Sequence, residues 1–137
     1  MKRMLTLLLS FGTLFIVATS CGTKISPREM TVTAIGASFA RIHLCAKTNG
    51  ELPQTIGDFP QRDGYANRTQ DGWGHELIYD ISDTGVITLT SLGADQKPGG
   101  TDDNADISRS YRSTDEDGRF IAGEDMWLVK NELRETD

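Results

Sequence analysis

One short segment restricts the fold more than any other part of this sequence. Ser91–Ile107 holds four aspartates, three glycines and a proline in seventeen positions. Glycine and proline disfavour helix and strand interiors, and neighbouring carboxylates repel one another, so we expect a surface loop. The segment directly follows Val86–Thr90, an alternating run that predicts a strand. The fold therefore has to present a long acidic loop at the end of a strand.

The composition of this loop also suits a hard cation. Carboxylate and carbonyl oxygens on a glycine-bent backbone are the ligands that calcium takes, six to eight of them at roughly 2.3–2.6 Å. An ordinary solvated acidic loop explains the same composition. The residues by themselves leave both interpretations open.

A second motif, read together with this loop, resembles a known family. Asp71–Gly74 reads DGWG, and after a predicted strand pair the chain continues with SLGAD, PGG and NADI. Over Thr31–Tyr111 this order closely resembles the C-terminal domain of G-type pseudopilins, the major pseudopilins of type II secretion systems. The resemblance implies an α+β fold, with a long N-terminal α-helix packed on a small antiparallel β-sheet of three to four strands. It also implies a non-catalytic domain with protein partners in a secretion or pilus-like machine.

The resemblance further implies a calcium ion as cofactor, because the family's corresponding loop binds one. Loop length varies in the family, so the choice among Asp102, Asp103 and Asp106 stays open. The implied ligands are the carbonyls of Leu92 and Lys97, the side chain of Thr101, and the carboxylates of Asp95, Asp103 and Asp106.

The N-terminus carries a targeting pattern. Met4–Val17 is a nearly uninterrupted apolar run after two basic residues. A membrane-spanning helix needs about 20 residues, so this shorter run predicts a signal peptide. Ala18–Cys21 resembles a bacterial lipobox, which implies that residues 1–20 are removed and that Cys21 is lipidated. Residues 21–25 are then a tether and residues 26–137 the domain; plain secretory cleavage nearby is the alternative.

This N-terminus departs from the pseudopilin pattern. Pseudopilins carry a glutamate five residues into a long apolar filament helix, whereas here the apolar run lacks that glutamate and Cys21 closes it. We therefore expect a domain attached to the cell envelope by a lipid anchor rather than by a filament helix. Gly22 stands where an aspartate would retain a lipoprotein in the inner membrane, which favours the outer membrane if the host has one.

Charge and cysteine content narrow the possible partners. Without its 20-residue leader the chain of 137 residues keeps 117, enough for one domain, and its net charge falls from −6 to −8 because Lys2 and Arg3 are lost. This charge disfavours binding of nucleic acid or anionic membranes by the domain as a whole. With Cys21 acylated, Cys45 has no disulfide partner, and we expect it to be a small buried residue.

A helix is predicted from Ser26 to about Thr48. Ser26, Pro27 and Glu29 form a capping box with proline at the first helical position, and Asn49-Gly50 ends the helix. Arg41 is expected to be exposed. The apolar stripe comprises Val32, Ile35, Phe39, Ile42 and Ala46, widened by Leu44 and Cys45.

The remaining elements follow from turns and alternation. Leu52, Ile56 and Phe59 of the loop-rich connector are expected beneath the helix, Asp71 in an Asx-type turn, and Trp73 against the helix. The predicted strands are residues 76–81, 86–90, 107–112 and 126–130, and residues 133–137 are expected to be a frayed tail.

One further segment of the sequence resembles a second kind of calcium site. Ser113–Glu124 resembles the spacing of an EF-hand loop, but Ser113 occupies the position where that loop has its first aspartate. We therefore prefer a hairpin tip at Asp115–Gly118.

The sequence contains no nucleophile, zinc or phosphate-binding motif around its two histidines, so an enzyme is disfavoured. The alternative is a small periplasmic or surface hydrolase or saccharide-binding protein on the same fold, with a cleft lined by Trp73, Trp127 and acids.

Overall fold

The computed structural model describes residues 24–113, 115 and 117, together with the backbone of residues 127–135. One long helix precedes a four-stranded antiparallel sheet in the described part of the chain, which confirms the α+β class. The elements are α1 (Pro27–Asn49), β1 (Ile78–Ile81), β2 (Val86–Ser91), β3 (Ile107–Arg112) and β4 (Trp127–Glu135).

Local hydrogen bonds set both ends of α1, as the sequence predicts. The Ser26 hydroxyl accepts from the Glu29 amide at 3.2 Å, and the Glu29 carboxylate accepts from the Ser26 amide at 2.8 Å. At the other end Gly50 takes a left-handed conformation with φ of 73°, and its amide donates to the Ala46 carbonyl at 2.9 Å. The capping box and the C-terminal glycine therefore satisfy groups that a helix end leaves without partners.

The buried face of α1 differs from the predicted stripe at its edges. Ile35, Phe39 and Ile42 are buried, as is Cys45, which confirms these assignments. Leu44 was expected to widen the stripe, but 38% of its surface is exposed. Two residues along a helix turn through about 200°, so Leu44 points away from the core that Ile42 enters.

The prediction that Arg41 is exposed is wrong. Only 3% of Arg41 is accessible, because the connector after α1 folds back over the helix. Its guanidinium donates from Nε to the Pro60 carbonyl at 2.7 Å, from Nη2 to the Phe59 carbonyl at 2.7 Å and from Nη1 to the Asn67 carbonyl at 3.0 Å. An irregular segment leaves carbonyls without ladder partners, and Arg41 supplies the missing donors.

The sheet is a meander in which each strand pairs with the next along the chain. β3 has the predicted bounds, whereas β1 begins at Ile78 because Glu76 makes only an isolated bridge with Gln70. β4 runs to Glu135, opposite Ile107, so the prediction of a frayed tail is wrong as far as Glu135. Pairing with β3 orders these residues, and the sequence of β4 alone does not reveal that pairing.

The core lies between α1 and the sheet. Phe39 packs on Tyr111 of β3 with ring centroids 4.2 Å apart, and Phe59 meets Tyr79 of β1 edge-on at 5.0 Å. Leu52, Ile56 and Trp73 pack against this cluster, which confirms their predicted places. The buried core residues are Ala34, Ile35, Phe39, Ile42, Phe59, Leu77, Ile87, Leu89 and Ile107.

Candidate metal-binding loop

The acidic segment forms the connection between β2 and β3. Its two ends, Ser91 and Ile107, face each other in the sheet register and are both buried. Between them the chain leaves the sheet, makes a short 3-10 turn at Asp102–Asn104, and returns. The sheet therefore holds both ends of the loop at one place.

Main-chain hydrogen bonds close the loop on itself. The Ala94 amide donates to the Asp103 carbonyl at 2.8 Å, and the Asn104 amide donates to the Thr101 carbonyl at 3.0 Å. From outside the loop, Nη1 of Arg28 donates to the Asp102 carbonyl at 2.8 Å. The start of α1 and the far side of the loop are thus joined directly.

Two glycines allow the two sides of the loop to pack closely against each other. A Cβ on Gly93 would lie 2.7 Å from the Asn104 carbonyl carbon, and a Cβ on Gly100 would lie 2.6 Å from the Asn104 oxygen. Both glycines also have positive φ, 68° and 95°, where side chains are strained. Larger residues at these positions would push the acidic turn away from the rest of the loop.

Asp106 is the best-placed metal ligand among the predicted residues. Its Oδ2 atom accepts from the Gly99 amide at 3.0 Å, so the carboxylate points into the loop. Its Oδ1 atom is buried and has no hydrogen-bond partner. A buried carboxylate oxygen without a partner is costly, and a cation is one group that could satisfy it.

The other predicted ligands are more open. Asp95 is exposed, and its Oδ1 atom accepts from the Lys97 amide at 3.1 Å. Thr101 and Asp103 are exposed as well, and Leu92 is half-buried. In the part of the chain that the structure describes, no three acidic, histidine or cysteine side chains form a cluster able to hold a metal. The predicted set also relies on the Leu92 and Lys97 carbonyls, which such a cluster does not include.

A buried network that sequence reasoning missed supports the start of the loop. Asp71 is 3% exposed; its Oδ1 atom accepts from the amides of Trp73 and His75 at 3.0 and 2.8 Å, which confirms the Asx-type turn. Its Oδ2 atom accepts from the Ser91 hydroxyl at 2.7 Å, and that hydroxyl accepts from the Gly93 amide at 3.2 Å. The DGWG turn and the acidic loop are therefore one hydrogen-bonded unit.

This network is not arranged for nucleophilic catalysis. A nucleophile needs a base beside its hydroxyl and an acid behind that base, but here Ser91 donates to Asp71 itself. His75 Nδ1 lies 3.6 Å from Asp71 Oδ2, the oxygen that accepts from Ser91. It has no hydrogen-bond partner among the described residues. The arrangement positions backbone and provides no activated hydroxyl.

The EF-hand-like segment lies largely outside the described residues. Ser113, its first position, is buried and donates its hydroxyl to the Gly85 carbonyl at 2.6 Å. The Asp117 amide donates to Asp115 Oδ1 at 3.0 Å, a turn-like contact. Gly118 and Glu124 fall outside the described residues, as does the side chain of Trp127.

Comparison with known proteins identifies the class of domain. The family model described as type II secretion system (T2SS), protein G matches residues 44–110. The chain carries a pseudopilin-like domain. The match runs from the last part of α1 through the connector, β1, β2 and the acidic loop into β3. No curated protein matches the chain.

The pseudopilin-like domain supports a secretion-related structural role in the cell envelope. The match begins at Leu44 and ends at Ser110, so about the first three-quarters of α1 lies outside it. None of the described helices is long and apolar enough to cross a membrane. The predicted leader, residues 1–20, and Cys21 lie outside the described residues.

Proposed function

We propose that this protein is a lipid-anchored envelope protein whose pseudopilin-like domain is a structural or interaction module of a type II secretion or pilus-like assembly. The observation that carries the proposal is the family match over β1, β2, the acidic loop and the first part of β3. The N-terminal pattern supports the anchor: Cys21 would carry acyl chains, and Gly22 favours the outer membrane where the host has one. Its partners would be the membrane, through the lipid, and proteins of the secretion machine.

We propose further that one calcium ion stabilises the acidic loop. The partnerless, buried Oδ1 atom of Asp106 supports this, because calcium accepts carboxylate oxygens and prefers them in sets of six to eight. Asp95 and Asp103 supply further carboxylates on the same loop. The carbonyls of Leu92 and Lys97 and the hydroxyl of Thr101 would complete the set.

Calcium would act by removing repulsion that exists only in the folded state. In the native state the aspartates lie on one closed loop, whereas the unfolded chain lets them separate further. A cation that binds only the native state adds about 2.7 kcal/mol of stability at a hundredfold excess over Kd. In a domain of this size that gain raises Tm by roughly 10 °C.

The test is a thermal melt of the purified domain, Gly22–Asp137, in chelator, in calcium and in magnesium. Calcium should raise Tm and magnesium should substitute poorly, because magnesium demands a tighter octahedron and keeps its water. Asp106→Ala and Asp95→Ala should abolish most of the calcium-dependent shift. Asp102→Ala should matter less, and Asp115→Ala, outside the loop, is the matched control. Identical curves in all three solutions would return the loop to a solvated acidic turn.

The anchor has its own test. Mass spectrometry of membrane-extracted protein should find a diacyl- or triacylglyceryl group on Cys21. Cys21→Ser should release or mislocalise the domain, because two or three acyl chains hold a protein far more firmly than one. Soluble, unmodified protein from the wild-type gene would contradict the anchor.

A further inference from the structure

An open groove of about 480 Å³ lies between the N-terminal half of α1 and the connector. Its walls are mainly apolar carbon, contributed by residues such as Met30, Ala37 and Ala66. Ile25 and Tyr65 stand at its edge and are 66% and 60% exposed. Apolar side chains this open to water, beside a concave apolar surface, indicate a surface that contacts something else.

The charge of the groove is opposite to that of the protein. The chain has 20 acidic and 14 basic residues, yet the described lining of the groove contains three arginines and no acid. Arg41 is committed to connector carbonyls, Arg62 stacks on Tyr65 with its Cζ atom 3.9 Å from the ring centroid, and Arg68 is exposed. Asp63 is exposed beside Arg62 but does not line the groove. The groove therefore fits an amphipathic ligand with an apolar body and an anionic group.

The groove lies close in sequence to the proposed lipid anchor, which favours a membrane lipid as its ligand. Ile25 lines the groove, and Cys21 lies four residues earlier in the chain. Four residues span at most about 14 Å even when fully extended. A lipid on Cys21 therefore keeps Ile25, at the edge of the groove, within about 14 Å of the residue that carries the acyl chains.

We propose that the groove face, defined as Ile25, Met30, Arg62, Tyr65 and Arg68, docks on the phospholipid surface that holds the anchor. This rests on the proposed lipidation of Cys21. The apolar wall receives the acyl and glycerol part of a phospholipid, and the arginines pair with its phosphate. Tyr65 combines an apolar ring with a polar tip, which suits the boundary between headgroups and acyl chains.

Docking adds a second attachment point and so gives the domain a defined orientation. A lipid anchor alone leaves the domain free to turn, because the bond to the bilayer is a single chain of four residues. A second contact at the groove face fixes the start of α1 toward the membrane. The far end of α1 at Asn49 lies about 35 Å along the helix axis from that start, beyond the end of the groove. The net negative charge of the domain does not prevent this, since the contact is local.

Label depth in vesicles tests the docking. The full chain, inserted through its own anchor into phosphatidylethanolamine vesicles with added phosphatidylglycerol, carries a nitrobenzoxadiazole label at Ala66→Cys in the groove. The matched control places the label at Thr48→Cys, exposed at the far end of α1. Cys45 is buried and should stay unlabelled in the folded protein. We expect lipid-borne nitroxide to quench the Ala66 label more strongly than the Thr48 label, because Thr48 lies beyond the end of the groove.

Charge variants test the arginines. Each cation near an anionic lipid surface contributes about a fivefold effect on binding, so Arg62→Gln with Arg68→Gln should lower the docked-to-undocked ratio roughly 30-fold. Lys47→Gln removes an exposed cation from the far end of the same helix and should change the ratio less than twofold.

Mass spectrometry of Cys21 in the same preparation separates the two proposals. Acylated protein whose Ala66 label stays unquenched overturns the docking and leaves the anchor intact. Unmodified Cys21 overturns both. A label shift that occurs without vesicles would assign the groove to the protein's own acyl chain. A shift that grows with protein density would assign it to a second copy. Either result overturns docking on the bilayer.

Discussion

A single buried guanidinium, that of Arg41, holds the irregular connector against α1. Its three donors reach carbonyls of Phe59, Pro60 and Asn67, which are spread over nine residues of chain. The Cζ atom also lies 5.4 Å from the Phe59 ring centroid, within the range of a cation–π contact. Burial lowers the pKa of Arg41, because removing water disfavours its charged form. The three carbonyls stabilise the charge in place of that water.

We expect Arg41→Ala to destabilise the domain by about 3 kcal/mol or more, since it leaves buried acceptors without donors and each can cost 1–3 kcal/mol. Urea unfolding followed by circular dichroism measures the change. Lys47→Ala, exposed on the same helix, is the matched control and should change stability by less than about 0.5 kcal/mol. Equal losses from the two variants would show that the bonds of Arg41 contribute little.

The capping box makes the start of α1 sensitive to pH. Hydrogen bonds from the Ser26 amide and hydroxyl lower the pKa of Glu29 below its ordinary value of 4.5. A lowered pKa in the folded state contributes stability above pH 4.5, and that contribution is lost as pH falls through the folded pKa.

We therefore expect Ser26→Ala to move the pKa of Glu29 back toward its ordinary value. A carbon-detected NMR titration of the Glu29 carboxyl measures it directly. Ser110→Ala, whose hydroxyl pairs with Thr88 across the sheet, is the control and should leave the Glu29 titration unchanged. An unaltered Glu29 pKa in Ser26→Ala would mean that the Ser26 hydroxyl does not contribute to it and that the Ser26 amide alone lowers it.

At the scale of elements, the contact between α1 and the DGWG turn depends on a missing side chain. A Cβ on Gly72 would overlap the Pro27 carbonyl and lie 2.5 Å from the Pro27 Cα. The Gly72 amide also donates to the Thr31 hydroxyl at 2.9 Å, which ties the turn to the first turns of α1. The pseudopilins that this sequence resembles usually have proline here, which would meet the same backbone and would lack that amide hydrogen.

We expect Gly72→Ala to destabilise the domain by about 1–3 kcal/mol, the usual range for overpacking, because the helix start must move. Gly36→Ala is the matched control within α1, where a Cβ would meet only Arg109 Nη1 at 4.0 Å. It should instead stabilise the helix by about 0.5–1 kcal/mol. Thermal melts compare the two, and a neutral Gly72→Ala would contradict the close contact.

Elements whose ends depend on nearby residues could be predicted from the sequence. The ends of α1 follow from Ser26, Glu29 and Gly50, which act within one helical turn of themselves. β4 could not be bounded in this way, because its last pair, Ile107 with Glu135, joins residues far apart in the chain. The predicted exposure of Arg41 was wrong for the same reason, because its hydrogen-bond partners lie 18 to 26 residues away in the chain.

In the candidate site, too, features that depend on nearby residues could be predicted and those that depend on distant residues could not. The loop itself and its aspartates could be read from composition and from the resemblance to G-type pseudopilins. The role of Ser91 could not, because its partner Asp71 belongs to a different motif 20 residues earlier. A serine at a strand end gives no signal by itself. Its burial beside an aspartate is decided by how the DGWG turn folds onto the sheet.

For the molecule as a whole, the excess of acidic charge should make stability depend on ions in two distinct ways. In chelator, added sodium chloride should raise Tm modestly, because it screens the repulsion among aspartates over distances of about 10 Å at 0.1 M. In saturating calcium the same salt should have a smaller effect, since the proposed ion would already offset most of the loop's net negative charge. Scanning calorimetry of the Gly22–Asp137 domain measures both, and Asp106→Asn should remove the difference. A salt response that is the same with and without calcium would contradict it.

The meander order of the sheet has a consequence for the rate at which the protein reaches its native state. β1 and β2 are joined by four residues, Ser82–Gly85, and β2 and β3 by a single loop, so strand partners are near neighbours in the chain. Short closures cost little entropy, and local pairings favour rapid folding. Docking of α1 is a different kind of event, because Phe39 must find Tyr111 across the whole intervening chain. Folding should therefore show an early hairpin and a later step in which the helix joins a sheet already in register.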